Sequence, residues 1–129
     1  MIAIGKTDTA QTTVNETNTA HAVSSGSLDV FATPMMIALM EQATCAVLAD
    51  CLELGQTSVG TKISVEHTAA SPLEMEITAT ATITAVNGRV IDFDITASDA
   101  VGEIGKGTHT RVIIDAERLL TKAQARLQS

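Results

Sequence analysis

Glu41 is the residue of this sequence whose surroundings most need a chemical explanation. It lies in FATPMMIALMEQATCAVLAD, residues 31–50, where most other positions are apolar or small. An ionised carboxylate in a dry interior costs several kcal/mol unless a cation or hydrogen-bond donors face it. Glu41 is therefore expected either to pair structurally with a cation such as Arg111 or His109, or to line a pocket as a base or nucleophile. The sequence leaves both interpretations open.

Thr33 is a second candidate because it precedes Glu41 by eight positions on the same predicted helix. That spacing is a little over two turns, or about 12 Å along the axis, so the two side chains could flank one acyl-sized cleft. Thr33 also precedes Pro34, and this pair is typical of a helix start, with threonine as the N-cap and proline at the first helical position. Capping alone would explain Thr33.

His67 and Gly60 lie on the first predicted strand after that helix, Thr57 to His67. Alternation along the strand predicts one inward face that contains Thr61, Ile63, Val65 and His67. His67 is then either a hydrogen-bonded core histidine or a proton carrier. Gly60 could let a substrate approach the backbone and offer its N–H to an oxyanion.

The elements that must position these residues follow from periodicity and turn signals. A mostly apolar helix is predicted from Thr33 to Leu54, with Gly55 as its left-handed stop. Residues 75–85 alternate strictly between apolar and polar, and Asn87-Gly88 predicts a hairpin to a second alternating strand. The remaining predictions are a loose lead-in at 1–8, a strand from Ala10 to Val23, a last strand from Ile104 to Asp115, and a short C-terminal helix within 116–129.

This order predicts a single α+β domain covering 1–129. A sheet curls around the long helix, and the four strands after the helix form an antiparallel meander. A helix this apolar must be covered on its remaining side by something else.

Composition excludes several classes of function. The chain has 129 residues, a net charge of −7, two Phe and no Trp or Tyr. Nucleic acids are therefore poor partners, because phosphate binding needs clustered cations and base binding commonly uses aromatic stacking. An anionic small molecule fits only if a few cations gather locally, from the set Lys62, Arg89, Lys106 and Arg111.

Location and metal binding are constrained by what the sequence lacks. No apolar run approaches the roughly 20 residues of a membrane span, and the first residues do not resemble a secretory signal. Cys45 and Cys51 are six positions apart, which fits neither a metal motif nor a disulfide framework. We expect free thiols, no metal site, no membrane partner and a cytoplasmic location.

Three segments together resemble the hotdog-fold thioesterases, most closely the fluoroacetyl-CoA thioesterase-like group. They are LDVFATPMMIALMEQA, SVGTKISVEHTAASPL and GKGTHTRVIID, and the resemblance spans roughly residues 10–115. It implies a hotdog fold, in which an antiparallel sheet wraps around a long central helix. It also implies a homodimer, with a tetramer as an alternative, and active sites near the subunit interface.

The resemblance also implies roles for individual residues. Thr33, Glu41 and His67 match the catalytic positions of that group, and Gly60 matches a backbone amide that meets the thioester carbonyl. Their neighbours Thr61 and Pro34 are expected to contact substrate. Glu41 would act as nucleophile or as base toward water, His67 would shuttle the proton, and Thr33 would orient or assist.

The implied function is hydrolysis of an acyl-CoA to the free acid and CoA, without a cofactor. The fluoroacetyl-specific enzyme has bulky aromatic residues before its catalytic threonine, whereas this chain has Ser27-Leu28-Asp29. A short- or medium-chain acyl-CoA is therefore predicted. The alternatives are a hotdog enoyl-CoA hydratase or dehydratase, and a non-catalytic acyl-CoA-binding or dimeric interaction protein.

Overall fold

The computed structural model describes residues 2–128 and contains a five-stranded antiparallel sheet that curls around one helix. A second, short helix follows the last strand and ends in a 3-10 turn at Arg126–Gln128. In chain order the elements are β1 (Thr7–Thr13), α1 (Thr33–Leu48), β2 (Gln56–His67), β3 (Glu76–Asn87), β4 (Val90–Ser98), β5 (Glu103–Asp115) and α2 (Ala116–Ala125).

The strand order is β1-β3-β4-β5-β2, so only β3, β4 and β5 form a meander. The predicted four-strand meander is wrong, because β2 pairs with β5 and not with β3. The link between β2 and β3 is no tight turn: Pro72 bridges to Val30, and Ser71 accepts a hydrogen bond from the Phe31 N–H. This link carries the chain across the sheet and leaves β2 at an edge.

The two alternating strands and their hairpin are confirmed. Asn87 pairs with Val90, which leaves a two-residue loop, and Gly88 has a φ of +65° that suits glycine. Inward residues of β3 and β4 are buried, and their outward threonines and aspartates are not. The largest fully buried side chains are Phe31, Phe93, Met36, Met40, Leu48, Ile77, Ile83, Ile91, Ile95, Ile104, Val14 and Val47.

Helix α1 has 16 residues and is about 24 Å long, shorter than predicted. It ends at Leu48 and not at Leu54, since the chain turns at once and the Cys51 N–H donates to the Leu48 carbonyl. Asp50, in that turn, pairs with Lys6 at the start of the chain. Gly55 does have a positive φ, of +84°, but it precedes β2 and does not stop the helix.

The first strand also differs from its prediction, which ran from Ala10 to Val23. It covers Thr7–Thr13, and the chain then turns on two asparagines. Asn15 accepts a hydrogen bond from the Thr17 N–H, and Asn18 accepts one from the Asn15 N–H. Asparagine side chains that bond to nearby backbone in this way favour turns over strands.

One face of α1 is open in the single chain. Pro34, Ala38, Gln42 and Cys45 are exposed, whereas the opposite face is buried against the sheet. The sequence predicted that something besides the sheet must cover this helix, and nothing within residues 2–128 does. Over the same residues, no helix is both long enough and apolar enough to cross a bilayer.

Candidate active site

The predicted site residues fall into two groups at opposite ends of β2. We call them the histidine end, which contains Thr33 and His67, and the carboxylate end, which contains Glu41, Gly60, His109 and Arg111. Helix α1 runs alongside β2, so the start of the helix meets the end of the strand.

At the histidine end, 2.7 Å separates Thr33 Oγ1 from His67 Nδ1. The prediction that Thr33 is the N-cap is wrong: Ala32 occupies the capping position, and within the described chain no side chain caps this helix. The Thr33 hydroxyl is directed to the imidazole, which β2 brings from 34 positions away. Pro34 is in the first turn and is exposed.

The two nitrogens of the His67 ring differ in their surroundings. Its Nε2 is buried and has no hydrogen-bond partner among the described residues. Burial lowers the pKa of His67 below its usual value, an effect that the backbone of Ala69 partly opposes. A neutral ring in this position can accept a proton from a reacting group and return it.

At the carboxylate end, Glu41 faces two side chains of β5. Its Oε2 lies 3.3 Å from Arg111 Nη1 and 3.5 Å from His109 Nε2. Arg111 is buried and fixed by Ser58, whose hydroxyl accepts from Nε at 2.9 Å and whose carbonyl accepts from Nη2 at 3.0 Å. The structural interpretation of Glu41 is thus realised as an ion pair with Arg111, beside which His109 lies.

Glu41 nevertheless remains accessible. Its side chain is 40% exposed, and it lines a cleft of about 590 Å³ that Arg111 also reaches. Cys45 and Gln42 of the open helix face lie along the same cleft. The carboxylate is therefore both paired to a cation and open to a ligand.

His109 has a defined tautomer because of what surrounds it. Its Nδ1 lies 2.7 Å from the Lys62 carbonyl, which can only accept, so Nδ1 carries the proton and Nε2 accepts from Arg111 Nη1 at 3.1 Å. Burial is the main cause that lowers the pKa of His109; the Arg111 charge acts in the same direction, and the Lys62 carbonyl and Glu41 oppose it.

Gly60 lies at a position where a side chain would clash with neighbouring residues. A Cβ at this position would lie 2.8 Å from His109 Cε1 and 2.9 Å from Glu41 Oε2. The glycine thus makes room for the carboxylate. The register between β2 and β5 shifts just beyond it, which leaves Thr61 without an opposite residue; Thr61 is exposed, and its hydroxyl donates to the Thr110 carbonyl at 3.4 Å.

Strand register confirms the inward direction of most of the predicted face. Ile63, Val65 and His67 lie opposite His109, Gly107 and Gly105, and so share the face of the buried His109. The shift at Thr61 removes that residue from the regular alternation. Ile63 stays 37% exposed, because β2 is an edge strand.

One chain does not bring the three predicted catalytic residues together. Thr33 and Glu41 are about 12 Å apart along α1, and Gly60 and His67 are about 20 Å apart along β2. Among the hydrogen bonds and ion pairs of residues 2–128, none joins the two ends. In the same part of the chain, no three His, Cys, Asp or Glu side chains are grouped as a metal site would need.

Sequence reasoning offered His109 and Arg111 only as possible partners of Glu41, and it missed Ser58. The available signal was the alternation in GKGTHTRVIID, which places His109, Arg111 and Ile113 on one face of β5. A histidine and an arginine on a buried face need a partner, and a carboxylate is the usual one.

Comparison with known proteins identifies the family. Residues 14–117 match the family described as FlK: Fluoroacetyl-CoA-specific thioesterase. Over 96 residues, which cover 74% of this chain and 69% of the relative, the chain is 44% identical to the fluoroacetyl-CoA thioesterase of Streptantibioticus cattleyicolor.

Solved structures agree with the sequence comparison. A crystal structure of a point mutant of the fluoroacetyl-CoA-specific thioesterase FlK is 35% identical, covers 98% of each chain and has a TM-score of 0.92. A Thermus thermophilus thioesterase superfamily member is 24% identical, with a TM-score of 0.89 over 99% of this chain and 97% of the other, and supports the fold alone. The predicted hotdog fold is confirmed, and the chain belongs to the fluoroacetyl-CoA-specific thioesterase family.

Proposed function

We propose that this protein is a homodimeric acyl-CoA thioesterase that hydrolyses a short- or medium-chain acyl-CoA to the free acid and CoA. Its family membership makes it a thioester hydrolase. What needs explanation is how a chain that keeps Glu41 apart from Thr33 and His67 could assemble one site.

The observation that carries the proposal is the placement of the two ends on one edge strand. Residues 60–64 of β2 are exposed, and among residues 2–128 no strand pairs with the outer edge of β2. If two copies pair their β2 strands antiparallel about a two-fold axis, Gly60 of one subunit lies near His67 of the partner subunit. Each carboxylate end then meets a histidine end, which gives two equivalent sites.

The physical chemistry of burial favours the same arrangement. An edge strand presents unpaired N–H and C=O groups that a second strand satisfies. Ile63 lies near the middle of the exposed edge, and Ile37 lies midway between Thr33 and Glu41 on the helix. An apolar centre flanked by two polar ends is self-complementary, as a two-fold interface must be.

In the proposed reaction the thioester carbonyl carbon lies between the two ends. Glu41 either attacks it or removes a proton from the attacking water, and the Gly60 N–H stabilises the oxyanion. If Glu41 is the base, it takes a proton from the water as the C–O bond forms, the C–S bond breaks, and His67, oriented by Thr33, passes that proton to the departing CoA sulfur. If Glu41 is the nucleophile, its attack breaks the C–S bond and forms an anhydride; water then opens the anhydride, which releases the acid and frees Glu41, and His67 carries the proton of that water to the sulfur.

This chemistry moves protons and no electrons, so we expect no redox cofactor. Because Glu41, His67 and the Gly60 N–H would supply the acid-base and oxyanion groups, we also expect no metal. We expect the substrate to be met in the cytoplasm, and neither a membrane nor a nucleic acid to be a partner. Thr61 and Pro34 border the two ends and are expected to contact the CoA portion of the substrate.

One observation favours a second function. Because Glu41 is already paired with Arg111, the protein could bind acyl-CoA without hydrolysing it. Thermal stabilisation by CoA thioesters together with an absence of thiol release would indicate this binding protein. We prefer hydrolysis because Glu41 remains open to the cleft.

A complementation experiment tests both the activity and the shared site. Glu41→Ala and His67→Ala should each lower kcat by at least about 10²-fold, the usual scale for acid-base groups. When the two variants are co-expressed, mixed dimers carry one intact site, so thiol release should recover to about a quarter of the wild-type rate.

Each variant expressed alone, and each mixed with itself, is the matched control. Failure of the mixture to recover, from variants that are folded and dimeric, would place each site within a single chain. Wild-type rates in either single variant would remove that residue from the mechanism.

A further inference from the structure

The guanidinium of Arg111 makes more contacts with its own surroundings than with Glu41. An arginine carries five N–H donors, one on Nε and two on each terminal nitrogen. Here Nε donates to the Ser58 hydroxyl, Nη2 donates to the Ser58 carbonyl, and Nη1 lies 3.1 Å from His109 Nε2. Three contacts therefore hold the guanidinium, and only the remaining one, from Nη1, reaches the carboxylate.

The contact between Arg111 and Glu41 is monodentate. Arg111 and His109 both lie against Glu41 Oε2, at 3.3 and 3.5 Å. Glu41 Oε1 takes part in no hydrogen bond or ion pair with any residue from 2 to 128. Pairs of arginine and carboxylate are frequently bidentate, with two parallel N–H···O bonds. The single contact in this protein therefore needs a physical cause.

Ser58 and His109 together supply that cause. A guanidinium can offer two N–H groups side by side along either of two edges, Nε with Nη2 or Nη1 with Nη2. Ser58 occupies the first edge with its hydroxyl and its carbonyl. His109 takes one of the two Nη1 hydrogens and thereby keeps the second edge from closing on the carboxylate.

His109 can draw this hydrogen away because its ring is a neutral acceptor. The Lys62 carbonyl holds the ring proton on Nδ1, which leaves Nε2 free to accept from Arg111. Both side chains are buried, so water does not readily replace their contact. A protonated ring would instead donate from Nε2 and place a second cation beside Glu41.

We propose that Ser58 and His109 are positioning residues that limit Arg111 to one oxygen of Glu41, so that Oε1 is free to react. The inference rests on the proposed thioesterase function, in which Glu41 is the nucleophile or the base. A carboxylate held through both oxygens would have to break a charge-assisted hydrogen bond before it could attack or take a proton. The restraint on Arg111 therefore raises kcat and has little effect on substrate binding.

Two substitutions of His109 separate its contact with Arg111 from its contact with the backbone. The side-chain oxygen of glutamine falls near the place of Nε2, so His109→Gln keeps an acceptor for Arg111 and loses the bond to the Lys62 carbonyl. The side-chain N–H of asparagine falls near the place of Nδ1, so His109→Asn does the reverse. His109→Asn should lower kcat for thiol release at least about tenfold with KM nearly unchanged, and His109→Gln should keep kcat within about threefold of the wild type.

Urea denaturation of both variants provides the control for a merely structural histidine. If His109 only supported the fold, kcat would follow stability, and the less stable variant would be the less active one. We expect kcat to depend on the contact with Arg111 and not on the order of stability. A loss of kcat in His109→Gln as large as in His109→Asn would overturn the proposal.

A second test asks whether the loss acts through the arginine. Lysine is a point charge without a planar fork, so Arg111→Lys removes the group that could hold both oxygens. In that background His109→Asn should cost little further kcat, since residues that act as a unit are non-additive. Losses that multiply fully in the double variant would show that His109 does not act through Arg111.

Ser58 keeps the proposal testable even if His109→Asn does not fold, because Ser58 is only partly buried. Ser58→Ala should lower kcat by about tenfold with KM nearly unchanged, and Ser58→Thr, which retains the hydroxyl, should restore most of it. Wild-type kcat in Ser58→Ala would remove Ser58 from the positioning role.

A crystal structure of His109→Asn or Ser58→Ala gives a readout that is independent of activity. Both oxygens of Glu41 should lie at about 2.7–2.9 Å from the guanidinium. An Oε1 without a partner in a variant that has lost activity would overturn the positioning role and leave the thioesterase standing. Absence of thiol release by the wild-type protein from every acyl-CoA would refute the proposed function itself.

Discussion

At the carboxylate end of β2, Glu41 is held by an ion pair with the buried Arg111, and at the histidine end His67 is held by a single side-chain hydrogen bond. Arg111, fixed by two bonds to Ser58, contacts Glu41 from inside the protein, and Gly60 leaves the carboxylate just enough space. His67 contacts Thr33 through Nδ1, and its other nitrogen has no hydrogen-bond partner between residues 2 and 128.

The difference indicates that the two ends have different roles in the proposed reaction. The carboxylate end is rigid and preorganised, as a group must be that acts on one fixed atom. In the proposed mechanism, the histidine end would transfer a proton only during the reaction. Substitutions at the carboxylate end should therefore lower both stability and activity. Substitutions at the histidine end should lower mainly activity.

Gly60→Ala should produce the largest effect among the substitutions that leave Glu41, His67 and Thr33 in place. Its Cβ would lie within 3 Å of both Glu41 and His109, so the carboxylate must move. A displacement of about 1 Å at a reacting group can cost on the order of 10² in rate, and overpacking costs roughly 1–3 kcal/mol. We expect losses of this size in kcat and in the free energy of unfolding, measured by thiol release and urea denaturation.

Ser64→Ala serves as the control for Gly60→Ala, because Ser64 is on the same strand and points to the other face, opposite Thr108. It should leave kcat and stability nearly unchanged. Normal activity in Gly60→Ala would mean that Glu41 has freedom to move, and the contrast between a rigid and an adaptable end would be lost.

Thr33 offers a smaller effect at the opposite end. Thr33→Ala should lower kcat by about tenfold because His67 loses its orienting hydroxyl, and Thr33→Ser should restore most of the loss. The decisive comparison is a double substitution: residues that act as a unit are non-additive, so Thr33→Ala should cost little further activity once His67 is alanine. Fully additive losses would show that Thr33 acts separately from the imidazole.

How much of this arrangement the sequence predicts depends on how local the signals are. The paired strands β3 and β4 were predictable, since strict alternation and Asn87-Gly88 are both short-range signals. The position of β2 was not, because pairing with β3 or with β5 gives the same local pattern. The end of α1 was missed because a turn stabilised by Asp50 and Lys6 overrides helix propensity beyond Leu48.

For the candidate site, too, the sequence predicts local features better than tertiary contacts. The sequence identified the candidate residues and named Arg111 and His109 as possible partners of Glu41, since only a few cations are available to an inward carboxylate. It assigned Thr33 a capping role because the Thr-Pro signal is local, whereas its actual partner, His67, arrives through tertiary folding. The distance between the carboxylate end and the histidine end within one chain depends on how α1 packs against β2. No local sequence pattern encodes this packing.

The smallest expected effect concerns pH, and it distinguishes the two histidines. Burial lowers the pKa of both His67 and His109, so below about pH 6.5 the unfolded chain binds more protons than the folded protein. Their contribution to stability is therefore complete above that pH and is lost as pH falls toward the lower folded-state values. Burial is the main cause of both shifts, and His109 is buried whereas His67 is only partly buried. His109→Gln should therefore flatten the acid slope of the unfolding free energy more than His67→Gln does. Urea denaturation between pH 5 and 7.5 measures both slopes. Asp99, whose pKa is lowered by the Ser71 hydroxyl, contributes only at more acidic pH. A steeper slope in His109→Gln would show that its ring is charged in the folded protein, and would contradict the neutral form assigned at the carboxylate end.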